Sequence, residues 1–173
     1  MELGSSFRAG RGMRIVVYWL VVILAVLVDQ TTKAAAREVL EEGPRVLIPG
    51  VINLVHVENT GAAFSVGQGA TLLFVAIAVV FIVGATAIVW RTPNLPYKLV
   101  VPIGLVAGGG LGNMIDRIID GSVTDYISTA FMDFPVFNVA DICVSVGIVL
   151  CLVGYWRWEK SEASELSDGE ANA

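Results

Sequence analysis

The sequence predicts an all-α integral membrane protein with four transmembrane helices and a small extracytoplasmic β-element. The chain has 173 residues, of which 55% are hydrophobic and only 16% are charged. Soluble domains carry about 25% charged residues, so this composition argues against a soluble globular enzyme. Four apolar stretches are each long enough, with a few flanking residues, to cross about 30 Å of hydrocarbon as a helix. The length fits one domain, and we interpret residues 1–173 as a single membrane domain.

The first apolar stretch covers residues 15–28, and residues 30–36 extend it as a helix. Arginines precede it, as they precede the apolar core of a cleaved signal peptide, and residues 34–36 loosely resemble a cleavage site. Asp29 and Lys33 are unusual just before such a site, however, and the apolar run is long for a signal peptide. We therefore interpret the segment as a transmembrane helix.

The connection over residues 37–69 is the largest segment on the outer side of the spans. Within it, residues 45–57 are rich in Val, Ile and Leu and are interrupted by Pro49-Gly50. Short β-branched runs on either side of such a turn signal predict two short strands.

Three further spans follow, over residues 70–90, 99–115 and 136–155. The third span is rich in glycine at residues 108–112, which permits close packing between helices. It does not form a phosphate-binding loop, because no strand precedes it and no Lys-Ser or Lys-Thr pair follows. The fourth span is apolar apart from Asn138 and Asp141.

Lysine and arginine are distributed unequally between the two sides of these spans. One side carries Arg8, Arg11, Arg14, Arg91, Lys98, Arg157 and Lys160. The other side carries few basic residues among many acidic ones. The positive-inside rule then places both termini in the cytoplasm. Residues 1–12 and 159–173 are polar, and we expect both to be disordered cytoplasmic tails.

The composition also argues against several classes of ligand. The net charge is −5 and no Lys/Arg-rich patch is present, so nucleic acid is not an expected partner. A single histidine, His56, leaves no Cys/His cluster for zinc. Cys143 and Cys151 would lie about 12 Å apart on one helix, which is too far for a disulfide. The sequence suggests no metal or organic cofactor.

Polar residues collect at one depth, at the outer ends of all four predicted spans. In chain order they are Asp29, Lys33, Glu58, Asn59, Asn113, Asp116, Arg117, Asn138 and Asp141. The cytoplasmic halves of the spans hold almost no ionisable groups. Because an ionisable residue inside a span is costly, it indicates a function by default. The convergence predicts a polar site inside the bundle that is open to the outside.

Asp125 and Asp141 are the candidates for chemistry. Asp141 lies in the first turns of an apolar helix without Lys or Arg nearby in sequence, and Asp125 lies in the short outer loop before it. Two carboxylates held close at a low-dielectric rim cannot both ionise, so one keeps its proton while the other acts as a base. Such a pair can activate water against a peptide carbonyl. The alternative is that the two acids merely bind water or cations.

The other polar residues each have a structural interpretation as well. Asp29 and Lys33 have the i, i+4 spacing of a helix ion pair. Asn59-Thr60-Gly61 forms a simple turn or lines the site. Asp116 and Arg117 form a salt bridge with each other at the membrane surface or belong to the site.

A small proton-coupled transporter subunit is the alternative function, because acids within short spans suit proton transfer. That function predicts polar residues near the bilayer midplane and on the cytoplasmic side. The sequence instead places them at the outer ends of the spans, which disfavours transport.

Four motifs resemble those of the bacterial lipoprotein signal peptidases, also called signal peptidase II. They are VDQTTK at 28–33, NTGAAFS at 59–65, GGLGNMIDR at 109–117 followed by GSVTDY at 121–126, and FNVAD at 137–141. Each motif lies at the outer end of its own span. Tyr126 stands where this family frequently has Phe, which keeps an aromatic ring.

The resemblance implies an aspartic endopeptidase that removes signal peptides from diacylglyceryl-modified prolipoproteins, cleaving before the lipidated cysteine. It implies that Asp125 and Asp141 are catalytic, that no cofactor is needed, and that the lipid-modified precursor and membrane lipid are partners. The implied location is the bacterial cytoplasmic (inner) membrane, with the active site facing outward. The supporting positions that it implies are Asp29, Lys33, Asn59, Gly61, Asn113, Asp116, Arg117 and Asn138.

Overall fold

The computed structural model describes the backbone of residues 3–61, 70–92 and 94–171, and the side chains of residues 10–61, 70–92 and 94–160. Residues 62–65 of the second sequence motif lie outside these ranges. The elements in chain order are α1 (Leu3–Val39), β1 (Arg45–Ile48), β2 (Ile52–Asn59), α2 (Thr71–Arg91), α3 (Tyr97–Ile119), β3 (Val123–Thr129) and α4 (Val139–Ala171).

The four helices are each long and apolar enough to cross a membrane, as the sequence predicts. The spanning segments are Gly10–Val39, Thr71–Arg91, Tyr97–Ile119 and Val139–Lys160. Large apolar side chains cover the outer surface of α2, where Leu72 is 84% exposed and Val80 is 73% exposed. An apolar surface of this extent is disfavoured in water and suits the hydrocarbon of a bilayer. The chain is a membrane protein.

Helix α3 lies at the centre of the bundle. In its most apolar stretch of 18 residues, 56% of the residues are buried, whereas the corresponding share is 28% or less in the other three helices. Glycine makes this possible, because a Cβ at Gly108 would lie 2.7 Å from the Cβ of Ala25, and one at Gly112 would lie 2.5 Å from Asp29 Oδ2. The predicted close packing is therefore confirmed at these two positions, whereas Gly110 has open space around it.

The three strands form one antiparallel sheet in the order β1-β2-β3. The sheet lies at the end of the bundle where α1 and α3 end and α4 begins, which we call the sheet end. The opposite end, where α2 ends and α3 begins, we call the tail end. A small buried cluster of Ala36, Leu40 and Tyr126 attaches the sheet to α1.

Strand β3 corrects the sequence prediction of two strands followed by a loop. The prediction places Asp125 in a short outer loop, but Asp125 lies in β3 and pairs with Val57 of β2. The strand residues are mostly β-branched or aromatic, which suits a pleated surface. The local sequence does not reveal this strand, because its partner β2 lies more than 60 residues earlier in the chain.

The two terminal segments, which the sequence predicts as disordered tails, continue the first and last helices. Helix α1 begins at Leu3 and helix α4 continues to Ala171, so both segments are helical. A segment that extends an existing helix needs no new nucleus, and Ala and Glu, which are frequent after residue 158, favour helix.

Candidate active site

The ten residues singled out as site residues all lie at the sheet end, joined by hydrogen bonds and ion pairs into one network. They come from α1 (Asp29, Lys33), β2 and its following turn (Asn59, Gly61), α3 (Asn113, Asp116, Arg117), β3 (Asp125), and the start of α4 (Asn138, Asp141). The structure thus brings all ten together, while their individual roles stay predictions.

Asn138 lies between the two candidate catalytic aspartates. Its side-chain amide donates to Asp125 Oδ1 (2.7 Å), and its backbone N–H donates to Asp141 Oδ2 (3.1 Å). In return, Asn138 Oδ1 accepts the backbone N–H of Asp141 (3.0 Å). This reciprocal pattern is a capping box, which satisfies N–H groups that the first turn of α4 leaves free. The hydrogen bonds of Asn138 that cap the first turn of α4 therefore also hold Asp141 near Asp125.

Two further asparagines complete the contacts of the aspartates. Asn59 donates to Asp125 Oδ2 (2.9 Å), and Asn113 donates to Asp141 Oδ1 (2.8 Å). All four carboxyl oxygens of the pair accept a hydrogen bond. Asn59 is itself oriented by the backbone N–H of Gly61 (2.9 Å), so this segment is both a turn and part of the site.

Burial changes the acidity of Asp125, because this residue is only 3% exposed. Removal from water raises the pKa of Asp125 to about 6, and the hydrogen bond from Asn59 opposes this rise. The negative charge of Asp141 raises the pKa further, while Asn138 and the positive charge of Lys33 lower it. Asp125 therefore exchanges its proton much closer to neutral pH than an ordinary aspartate does.

A fully buried ion cluster lies beside the pair. Lys33 Nζ is 2.9 Å from Asp29 Oδ2 and 2.9 Å from Asp116 Oδ2, and it donates to Asn113 Oδ1 at 2.8 Å. The predicted ion pair between Asp29 and Lys33 is confirmed. The other oxygen of Asp29 accepts the backbone N–H of Ala140 (3.0 Å), so the cluster also caps α4.

Asp116 and Arg117 do not pair with each other, so that alternative is wrong. Consecutive helical residues project about 100° apart, and Asp116 faces Lys33 instead. Arg117 donates to the carbonyl oxygen of Gly61 (2.8 Å), and its guanidinium lies 5.0 Å from the centre of the Phe74 ring. Arg117 thus connects α3 to the turn after β2 and to α2.

Three polar residues that the sequence does not single out also support this network. Gln30 donates to Asp116 Oδ1 (2.8 Å), and the backbone N–H of Thr124 donates to Asp116 Oδ2 (3.2 Å). Arg37 donates to the Thr124 hydroxyl (2.9 Å). A signal existed for Arg37, because it lies one helical turn after Lys33 on the same face of α1.

A cavity of about 530 Å³ opens onto the aspartate pair. Its polar part is lined by Asn59, Asn113, Arg117, Asp125 and Asp141. Its apolar part is lined by Val123, by residues 134–137 before α4, and by Ile142, Val144, Ser145 and Val146 of α4. A site with two adjacent carboxyl groups and a long apolar wall suits hydrolysis of a bond within an apolar chain.

The described side chains form no group of three or more His, Cys, Asp or Glu residues that is arranged to hold a metal ion. The position among Asp29, Asp116 and Asn113 is occupied by the ammonium group of Lys33.

Comparison with known proteins agrees with this geometry. Residues 21–157 match the protein family described as signal peptidase (SPase) II. A lipoprotein signal peptidase of Symbiobacterium thermophilum is 45% identical over 133 residues, which are 74% of this chain and 86% of the relative. One from Anoxybacillus flavithermus is 34% identical over 158 residues, which are 90% of this chain and 94% of the relative.

A solved structure of a bacterial membrane enzyme, obtained by the in meso method, has the same fold. It superposes with a TM-score of 0.75 at 29% sequence identity, covering 81% of this chain and 87% of the other. The family match over residues 21–157 contains the second and third spans, most of the first and fourth, the sheet and the aspartate pair. The chain therefore belongs to the signal peptidase II family.

Proposed function

We propose that Asp125 and Asp141 are the catalytic pair of a membrane aspartic endopeptidase that removes signal peptides from diacylglyceryl-modified prolipoproteins, cleaving before the lipidated cysteine. One observation carries the proposal: both carboxyl groups line one cavity and both are bound by Asn138. Family membership supplies the reaction, and this geometry supports the assignment of the residues.

The reaction needs one protonated and one ionised carboxyl group. The ionised group takes a proton from a water molecule as the water oxygen attacks the peptide carbonyl carbon, and the protonated group donates its proton to the carbonyl oxygen. The tetrahedral intermediate then breaks at the C–N bond. The departing amine takes up a proton from the pair, and a hydroxyl of the intermediate returns a proton to the pair as the new carboxyl group forms, so the pair again holds one proton. The raised pKa of Asp125 favours sharing of one proton at near-neutral pH.

The remaining residues of the network would position the pair. Asn59, Asn113 and Asn138 fix the carboxyl groups, and the ion cluster of Asp29, Lys33 and Asp116 fixes the helix ends that carry them. The apolar wall of the cavity suits the signal peptide and the acyl chains of the precursor, with membrane lipid completing the surroundings.

The proposed location is the bacterial cytoplasmic (inner) membrane, with the sheet end facing outward and both termini in the cytoplasm. Its support is the distribution of charge: the basic residues Arg91 and Lys98 flank the connection at the tail end. In this orientation the aspartate pair lies near the outer surface, at the depth where a translocated precursor emerges from its signal helix. A proton-coupled transporter has no support among the relatives, which are signal peptidases.

Cleavage should depend on the lipid modification of the precursor. We expect the purified chain in liposomes to cut a diacylglyceryl-modified precursor, and to cut the same precursor with serine in place of the modified cysteine at least about 100-fold more slowly, because the acyl chains supply binding energy that anchors the bond at the pair. Gel-shift analysis and mass spectrometry of the new N-terminus provide the measurement. Equal cleavage of both precursors would contradict the proposed substrate class.

The rate of cleavage should fall as the pH rises above the pKa of Asp125, which burial raises to about 6, because Asp125 then no longer keeps a proton that the pair can donate. We expect kcat/KM to fall about tenfold per pH unit on this alkaline side. Asn59→Ala removes a hydrogen bond that lowers the pKa of Asp125, so the fall should begin at higher pH. His56→Gln is the control, since His56 lies on the same strand and contacts Glu58 instead. A rate that is constant from about pH 4 to about pH 9 would count against a titrating pair.

A further inference from the structure

The apolar part of the cavity contains one polar side chain, Ser145. It lies four residues after Asp141 on α4, which places it on the same face and about 6 Å further along the helix. The apolar residues that line the same cavity include Ile142, Val146 and Phe137. The Ser145 hydroxyl makes no hydrogen bond to any residue that the structure describes, and it is exposed to the cavity.

A substrate that binds in this cavity needs a hydrogen-bond donor from the protein. The aspartate pair can reach a peptide bond only where the substrate backbone is not helical, because a helix shields its own carbonyl groups. Opening the backbone leaves carbonyl oxygens without hydrogen-bond partners, and an unsatisfied polar group is strongly disfavoured in an apolar environment. The valine, isoleucine and phenylalanine side chains of this wall have no donor to offer.

The direction of α4 indicates which part of the substrate passes Ser145. From Asp141 the helix runs away from the sheet end and into the apolar span. The signal peptide also runs into the hydrocarbon, whereas the mature protein leaves the membrane. The substrate residues beside Ser145 are therefore those on the N-terminal side of the cleaved bond.

We propose that Ser145 is a substrate-binding residue whose hydroxyl donates a hydrogen bond to a main-chain carbonyl of the signal peptide, on the N-terminal side of the cleaved bond. This inference rests on the proposed function and adds a binding contact to it. This hydrogen bond holds the non-helical segment of the substrate in the cavity. Because it is made to the main chain, it does not depend on the side chains of the precursor.

Threonine and valine at position 145 provide the test, because they have nearly the same shape and differ in the hydroxyl group. We expect Ser145→Thr to keep kcat/KM near the parent value, and Ser145→Val and Ser145→Ala to lower it about tenfold, the effect of one hydrogen bond. The pH profile of all three variants should match the parent, since no contact of Ser145 with the aspartate pair is involved. Val149→Thr is the matched control, because Val149 is one turn further along α4 and does not line the cavity.

The outcomes separate this inference from the proposed function. Equal kcat/KM for the threonine and valine variants overturns the role of Ser145, while cleavage by the parent chain that depends on Asp125 and Asp141 leaves the proposed function intact. Failure of the parent chain to cut a lipidated precursor overturns the proposed function and the inference with it. A rescue by threonine is not expected of a residue that merely packs, because valine fills the same space.

Discussion

Asp125→Asn and Asp141→Asn are each expected to lower the rate of signal-peptide cleavage by about 10³-fold or more, because the pair can then neither hold nor transfer the proton that the reaction requires. Asparagine has nearly the shape of aspartate and keeps one oxygen as an acceptor. Each carboxyl group accepts two hydrogen bonds, so each variant loses about one of them. Cleavage of a lipidated precursor in liposomes measures the rate, and thermal unfolding in detergent measures whether the variant is folded.

Asp120→Asn is the matched control for this pair. Asp120 also lies at the sheet end, but it is 43% exposed, contacts Arg37 at 3.2 Å, and does not line the cavity. We expect this variant to cleave at the parent rate. Processing at the parent rate by either the Asp125 or the Asp141 variant would refute the catalytic assignment, whereas loss in all three variants would indicate a general effect of charge at this end of the bundle.

The helices and the strands differed in how far the sequence could predict them. The four spans were predicted correctly because each is a long apolar run, and a helix needs no partner to satisfy its backbone in lipid. Strand β3 was missed because its hydrogen bonds go to β2, and no local pattern reveals such a distant partner. The register that pairs Asp125 with Val57 is thus a property of the folded chain.

The candidate site could be located from the sequence, but the sequence does not show which of its residues contact each other. Polar residues at one depth in four spans predict a common site, since lipid tolerates them only where they meet each other. Lys33 has two acidic neighbours in space, Asp29 and Asp116, and only the first shares its helix. Asn138 links the aspartates because the beginning of α4 packs next to β3, and this contact between distant segments follows from tertiary packing.

Lys33→Met is expected to be the most destabilising single substitution of the network. Methionine fills much of the same space but removes the positive charge between Asp29 and Asp116, which are 0% and 1% exposed. Two buried carboxylates are then left without their partner, and breaking a buried pair in this way costs about 3–5 kcal/mol. For a chain of this size that loss corresponds to a fall in Tm of about 10 °C or more, measured by thermal unfolding in detergent.

Two further variants test whether the loss of the buried positive charge causes the fall in Tm. Arg45→Gln removes the ion pair with Glu42, whose side chains are 52% and 88% exposed, and it should leave Tm nearly unchanged because exposed pairs contribute about 1 kcal/mol or less. Combining Asp29→Asn with Lys33→Met removes one of the two abandoned charges, so the double variant should unfold at a higher temperature than Lys33→Met alone. An unchanged Tm for Lys33→Met, or a double variant less stable than both single ones, would show that the cluster does not hold the helix ends together by charge.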